Sequence, residues 1–510
     1  MPVAPEAQKP SAAGATPPVG RYRWRMLALI FFATTINYMD RTVLTVLAPI
    51  LQYRVFHWTD ADYATVTMAF QAAYAIGLVA MGAILDRLGT RIGYAISIVI
   101  WSVFDLLHAT VRPSFSAIGF PLVRFGFGFG QAGTYPAAVK SVGEWFPRKE
   151  RALATGIFNA GSNMGAILAP LFVPLVVSST DGTHWQFAFL AMGALSAGCA
   201  LLWWKLYRRP EECAGLSAGE RNYISSDVAA ESPNGAKLRW RAILPLPETW
   251  AFAVSKTTDV AWWFYSFWVG KFFFDQYGLS IKTLAVPLMI IFVSADIGSV
   301  GGGWLSSHLL KRGWTVNRAR KSTMLLCALC ALPVGLSTHL GTHFQLTSDA
   351  VKSLAATATS EAGPTKLQIL VGKDFRSAKE FLAGVDGTIG LEERRHLEPT
   401  LLAVARSDGR YWIAVCLIAL AAAAHQGWSA TIFTVVTDVF PKKATGSVVG
   451  FGGMVGALAG VTANYALGHA LMSGGSTGYS YMFLAAGCSY LVVLGVVQLL
   501  TPRLEPVVLV

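Results

Sequence analysis

Charge is what this chain has least of. Only 14% of its 510 residues are Asp, Glu, Lys or Arg, while 54% are hydrophobic. Soluble domains carry about 25% charge, so the composition excludes an ordinary soluble fold and describes a chain that crosses a membrane repeatedly. Cysteine is also sparse. Six are scattered, mostly in apolar stretches, and the Cys327/Cys330 CxxC lies inside a hydrophobic helix. They read as small packing residues rather than a redox or zinc pair. No metal triad or nucleophile constellation appears in the apolar spans, so no metal, cofactor or enzymatic activity is expected. An N-terminal apolar core is missing too. Residues 1–23 are rich in Pro and Ala and read as a disordered cytoplasmic tail without a cleavable signal peptide. Finally, the net charge of +12 sits in short clusters between apolar spans rather than in one basic face, which argues against nucleic acid as a partner.

What is present is a series of long apolar runs. Twelve spans are expected near 24–50, 60–85, 92–111, 115–139, 152–178, 185–207, 250–276, 282–310, 320–340, 410–435, 444–471 and 479–501. A polar segment, 208–249, with Arg208, Arg209, Pro210, Pro245 and Pro247, divides six from six as a cytoplasmic linker. Basic residues set the orientation. Arg21, Arg23 and Arg25 precede span 1, and Arg87, Arg91, Lys140, Arg148, Lys149, Lys311, Arg312, Lys442 and Lys443 follow even-numbered spans. The alternate loops hold only a few, such as Arg54, Arg112 and Lys282. Both termini are therefore expected in the cytoplasm. Residues 341–409 form a polar insert on the outer side, where 366–371 reads as a strand and 378–383 as a helical turn. The halves echo each other: Glu144-Trp145-Phe146-Pro147 and Asp438-Val439-Phe440-Pro441 follow the fourth span of each, and Ala-Thr-Gly follows at 154–156 and 444–446. Such repeats suit a carrier that rocks two bundles about a central site.

The costly residues lie inside the spans. Asp40 and Arg41 sit near the middle of span 1, where ionisable groups need a cavity or a partner. Tyr38, Arg41 and Thr45 share a helix face, as do Asn37, Asp40 and Arg41. Arg41 can grip a carboxylate through two hydrogen bonds, and Asp40 can be neutralised by a proton. In span 4, Arg124, Gly128, Gln131 and Tyr135 share a face. Arg124 is either the partner of Asp40 or a second substrate contact. Gln71 and Tyr74 in span 2, Asn159 and Asn163 in span 5, Tyr265 in span 7 and Gln426 in span 10 are candidates for hydroxyl binding. Lys256 is placed near a cytoplasmic helix end, His425 as a packing residue, and Asp105 with His108 as a local pair towards the outer end. Gly128-Phe129-Gly130-Gln131-Ala132-Gly133 satisfies GxGxxG, but no strand precedes it, so its glycines are read as helix-packing residues.

Between spans 2 and 3, Gly82-Ala83-Ile84-Leu85-Asp86-Arg87-Leu88-Gly89-Thr90-Arg91 matches the GxLxDRxGxR loop of the major facilitator superfamily. Gly82, Asp86, Arg87, Gly89 and Arg91 are its conformational latch. The corresponding loop after span 8 has Ser307 in place of the acid. Within the superfamily the chain resembles the anion:cation symporters, which include bacterial hexuronate and galactonate carriers and vesicular glutamate and sialic-acid carriers. Asn37 to Arg41, Lys140 to Arg151 and Gly156 to Ser162 carry the resemblance, and Lys256 to Tyr265 looks most like the hexuronate branch. In that family the residue seven after the span 4 arginine is usually a proton-coupling glutamate. Here it is Gln131, which hydrogen-bonds but cannot titrate.

The resemblance implies an all-α membrane protein of twelve transmembrane helices, in bundles 24–207 and 250–510, with the 341–409 insert outside. It implies a monomeric carrier in the bacterial inner membrane, surrounded by lipid, that brings in a small organic anion with a proton. A non-transporting sugar-acid sensor and a drug exporter of the same superfamily are the alternatives; paired arginines in the cavity speak against the exporter.

Overall fold

A computed structural model describes residues 20–51, 55–58, 60–177, 184–226, 240–279, 281–338, 344–355, 366–375, 377–389, 401, 411–474 and 476–507. Residues 1–19 of the expected tail 1–23 lie outside them, while Tyr22 and Arg23, expected to be disordered, open the first helix. Helices dominate. In chain order, the first half contains α1 (Tyr22–Ile50), α2 (Asp60–Leu88), α3 (Thr90–His108), α4 (Ser116–Gln131), α5 (Thr134–Trp145), α6 (Arg148–Val176) and α7 (Gln186–Leu206). Two short helices, α8 (Ala218–Ser225) and α9 (Trp240–Ile243), lie in the polar segment between the halves. The second half contains α10 (Pro247–Lys256), α11 (Asp259–Phe267), α12 (Val269–Tyr277), α13 (Ile281–Lys311) and α14 (Val316–Ala331). After an insert with α15 (Ser348–Ala355) and α16 (Ala378–Ile389) come α17 (Tyr411–Val439), α18 (Lys442–Gly474) and α19 (Ser476–Leu500).

Nine of the described helical segments are long and apolar enough to cross a membrane. Three further expected spans are helical but charged or broken. The first, α1, carries Asp40 and Arg41. The expected fourth span is α4 followed by α5, with a break at Ala132 and Gly133. There the Ser97 hydroxyl donates to the Gly130 carbonyl at 2.6 Å, giving a partner to a backbone group near the break. A Cβ at Gly130 would meet the Trp101 backbone nitrogen at 2.5 Å, and one at Gly128 the Phe70 carbonyl at 2.7 Å. The GxGxxG run is thus a packing surface for α2 and α3. The expected seventh span is divided into α10, α11 and α12. At its first break the Thr257 and Thr258 hydroxyls donate back to Val254 and Ser255 carbonyls at 2.7 and 2.8 Å.

The halves meet along two seams related by a pseudo-two-fold. In one, Gly82 and Leu78 of α2 face Gly446 and Gly450 of α18; an added Cβ would lie 2.3 Å from the Gly446 carbonyl at Gly82, and 2.1 Å from the Leu78 carbonyl at Gly450. In the other, Gly303 and Ser299 of α13 face Ala152 and Gly156 of α6, with corresponding approaches of 2.2 and 2.3 Å. Each seam starts five residues after the proline that precedes its helix, Pro147 or Pro441. The repeat therefore runs without a gap, and the structural counterpart of Gly156 is Gly450 rather than Gly446. This corrects the four-residue offset implied by the two Ala-Thr-Gly triplets.

Polar groups close the same end. Asp86 accepts from Lys140 at 2.6 Å and from the Gly446 and Ser447 backbone N–H groups at 3.1 and 2.6 Å. Carboxylates are favoured at the start of a helix. Ser307, at the equivalent position, accepts from the Leu153 backbone N–H at 3.1 Å. The second loop thus keeps the backbone contact without the charge. The missing charge is supplied from elsewhere: buried Asp438 pairs with Arg151 at 3.2 Å and Arg320 at 2.9 Å. Of the other loop residues, Arg87 is exposed. Arg91 bonds the Trp204 carbonyl at 2.8 Å within its own half. Gly89 adopts φ of 81°, a conformation natural to glycine.

The segment between the halves is partly ordered. Glu220 of α8 accepts from the Tyr22 and Arg23 backbone nitrogens, both at 3.1 Å, and Arg23 bridges to Glu150 at 2.8 Å. The insert has its own apolar core, including Leu354, Leu367, Phe381 and Val385. Its strand lies elsewhere than expected. Gln368–Leu370 is a 3-10 turn, and the pairing is between Phe344–Gln345 and Asp374–Phe375, antiparallel, with Val371 making a single bridge to Leu346. The expected helical turn at 378–383 is present as α16.

Arg320 is fully buried and also bonds the Ser306 hydroxyl at 2.7 Å and the Arg148 carbonyl at 2.9 Å. Arg320→Ala is expected to destabilise the protein by up to about 3–5 kcal/mol, because it removes one of the two cations paired with buried Asp438 and leaves Arg151 as the other. Denaturant unfolding in detergent, with Arg320→Lys as the partial rescue, measures this.

Candidate functional site

A cavity of about 700 Å³ lies between the halves. The first half contributes Tyr38 and Arg41 from α1, Tyr74 from α2, Tyr135 from α5 and Asn159 from α6. The second half contributes Lys256, Asp259 and Trp262 from α10 and α11, and His425, Gln426 and Phe433 from α17. A smaller cavity of about 430 Å³ inside the second half is lined mainly by apolar side chains, such as Phe252, Ile432 and Val436. It lacks the converging polar groups of a binding site.

Arg41 is the central cation. Its guanidinium lies 4.5 Å from the Tyr38 ring, 4.7 Å from Tyr74 and 5.1 Å from Phe70. These aromatic faces stabilise a charge held away from water. Its Nε donates to the Gln131 Oε1 at 3.1 Å, and the Gln131 amide donates to the Asn37 carbonyl at 2.9 Å. Gln131 thus orients Arg41 without neutralising it. The Arg41 Nη2 is buried without a hydrogen-bond partner.

A polar relay crosses the cavity floor. Tyr38 donates to Tyr135 at 3.4 Å, Tyr135 to the Asn159 Oδ1 at 2.9 Å, and the Asn159 Nδ2 to the Gln426 Oε1 at 2.6 Å. The last bond joins the halves. Opposite Arg41, Lys256 pairs with Asp259 at 2.5 Å and sits 4.5 Å from the Phe433 ring. His425 stacks on Trp262 at 5.6 Å and meets the Tyr490 hydroxyl at 2.8 Å.

Not every expected residue reaches the cavity. Arg124 lies behind it, against Phe70 and Phe127, and its Nη2 donates to the Arg41 carbonyl at 3.1 Å. Asp40 is fully buried and accepts from the Ser196 hydroxyl of α7. Asn163 donates to Asp296 of α13 at 2.6 Å. Tyr265 is buried beside Phe264, and Gln71 is half-buried outside the cavity lining.

Other residues came into view only with the structure. Lys256 ends α10 at a break inside the bundle, so it lines the cavity instead of snorkelling from a helix end. Asp296 was not singled out at all, although it is an acid in an apolar span. Asp105 lies 3.9 Å from His108, as its spacing suggests, but it also lies against the Asp40 carboxyl. Nothing in one-dimensional spacing links positions 40 and 105. Asn159→Ala is expected to destabilise the protein by about 1–3 kcal/mol by stranding Tyr135 and Gln426. Thermal unfolding in detergent, compared with Asn159→Gln, checks it.

Residues 30–357 match the family model of the Major Facilitator Superfamily. The chain is 35% identical over 318 residues to a galacturonate transporter of Dickeya chrysanthemi, covering 61% of this chain and 90% of that protein. It is 34% identical over 319 residues to a hexuronate transporter of Escherichia coli strain K12, covering 62% and 72%. Among solved structures, the E. coli fucose:proton symporter superposes with a TM-score of 0.60 at 14% identity, covering 94% of this chain and all of that one. A proton:xylose symporter gives 0.59 at 14% identity, covering 93% and 94%. These structural likenesses carry the fold. With its helical fold, its central cavity and the match over residues 30–357, the chain belongs to the Major Facilitator Superfamily and is a multi-pass membrane transporter rather than an enzyme.

Proposed function

We propose that this protein is a proton-coupled symporter that brings a hexuronate, such as glucuronate or galacturonate, into a bacterial cell. In this reading the chain crosses the inner membrane twelve times as a monomer, with both termini in the cytoplasm. The observation that carries the reading is Arg41, an unneutralised guanidinium in the lining of a polar cavity whose buried Nη2 has no hydrogen-bond partner. A carboxylate is its natural ligand. The names of the relatives supply the sugar acid. Lys256 is paired with Asp259, so Arg41 is left as the main uncompensated cation of the lining. That balance suits one carboxylate better than two. Tyr38, Tyr74, Asn159 and Gln426 then meet the sugar hydroxyls.

The proton site in this reading is Asp40. Arg124 links it to the cavity, since its guanidinium lies near Asp40 and bonds the Arg41 backbone. Protonation of Asp40 releases Arg124 from one partner and leaves more positive potential at Arg41 for the substrate, which couples the two binding events. The halves then rock about the two glycine seams, parting the Asp86, Ser307 and Asp438 contacts. Alternating access follows from opening that end and closing the other.

Counterflow of labelled glucuronate or galacturonate in proteoliposomes tests substrate and translocation together. Arg41→Ala is expected to weaken uptake about 10- to 100-fold, the worth of a charged hydrogen bond; undiminished counterflow would remove the carboxylate clamp. Gln131→Glu is expected to weaken binding about tenfold where the introduced carboxyl is ionised and pairs with Arg41. Acidifying should restore affinity as that carboxyl takes a proton and again resembles the amide. A flat ratio of variant to wild-type affinity between pH 5 and 8 would show that Arg41 does not hold the ligand.

A further inference from the structure

Behind the cavity lies a buried polar cluster, around Asp40, Asp105 and Arg124, that does not contribute to its lining. Asp40 of α1 and Asp105 of α3 are both fully buried, and their carboxyls are neighbours. The groups facing them are Trp101 and His108 of α3, Arg124 of α4, and Ser196 and Cys199 of α7; Tyr63 of α2 faces Arg124 in turn. Arg41 is the next cation, but its guanidinium turns to the cavity and Gln131.

We propose that Asp105 is the second carboxyl of the proton site and shares one proton with Asp40. This rests on the proton-coupled reading above. Two observations carry it. The first is the charge count. Two ionised carboxylates beside one guanidinium leave a net negative charge in a sealed apolar setting, where like charges repel strongly. One proton between them brings the cluster to zero with Arg124. The second is the hydrogen-bond inventory. Asp40 Oδ1 and both Asp105 oxygens lack a well-formed donor; the Trp101 indole N–H lies towards Asp40 but completes no hydrogen bond. A carboxylic acid proton is the donor that they need: it stays bonded to one Oδ and is donated to the other carboxylate. Gln131, the other polar group near Arg41, cannot take this part.

The pair is placed to sense the cavity through one guanidinium. Arg124 Nη2 holds the Arg41 carbonyl, while its Nε and Nη1 have no partner. Drawing Arg41 towards a ligand moves the group that balances the two aspartates. Proton and substrate therefore occupy separate sites on opposite sides of α1.

Two measurements test this on the full-length protein. In reconstituted wild type, infrared difference spectra between acid and alkaline pH should contain a protonated-carboxyl band that is lost in both Asp40→Asn and Asp105→Asn. Under a pH gradient of one unit, a carrier moving one proton per substrate sustains at most about a tenfold accumulation. Asp105→Asn should bring that ratio to about one, and Asp105→Glu should recover it. Recovery in the glutamate variant separates a proton role from misfolding. A band and a stoichiometry unchanged in Asp105→Asn would overturn the inference while leaving the symport reading intact. Wild-type uptake that ignores the pH gradient would instead bring down the symport reading and this inference with it.

Discussion

An ion inside an apolar bundle must be paired, stacked or neutralised, and much of this molecule answers to that constraint at Asp40 and Arg41. The cost of stranding either charge is several kcal/mol. Consecutive residues on α1 diverge in direction, so the two charges meet different surroundings. Arg41 enters a cavity walled by Tyr38, Tyr74 and Phe70, with an amide as its anchor. Asp40 turns towards α3 and α7, where Ser196 and Asp105 receive it. Arg124 lies between the two environments, bonded to the backbone that joins them. A single helical step thus separates a cavity-facing charge from a buried one.

The same constraint explains why helices break near the cavity. Breaks at Ala132–Gly133 and at Thr257–Thr258 leave backbone groups that hydroxyls take up, and each break re-aims a polar side chain. After the first, Tyr135 reaches Tyr38 and Asn159. Before the second, Lys256 turns inward to Asp259 and Phe433. Irregular backbone at such depth is tolerated where it lines a cavity or is buried in protein.

The seams show how a repeat survives chemical drift. Asp86 and Ser307 occupy equivalent places and bond equivalent backbone nitrogens, although one is charged and the other is not. The geometry is kept by glycine, because Gly82 and Gly303 allow backbones to touch where any side chain would collide. The charge lost at Ser307 reappears in a network around Asp438, which joins α17 to α6 and α14. The polar contact between the bundles is thus distributed over several bonds.

The sequence by itself determined the class of the molecule. Low charge with long apolar runs dictated a helical membrane protein, and the Gly82 to Arg91 loop with the paired Phe-Pro segments pointed to its superfamily. It also marked Tyr38, Arg41, Tyr74, Asn159 and Gln426, because polar residues in apolar helices are few and each is expensive. Tertiary structure decided which of the polar residues face the cavity and which are buried away from it. Helical spacing says which residues lie on one face, but not which face turns to which neighbour. Arg124 therefore went to the buried side, Asn163 to Asp296, and Tyr265 to the bundle interior. Asp105 could be read only as the partner of His108, since its meeting with Asp40 joins residues on separate helices across a sealed core. Lys256 came to the cavity because a helix breaks just after it, a bend that no local pattern of hydrophobicity announces.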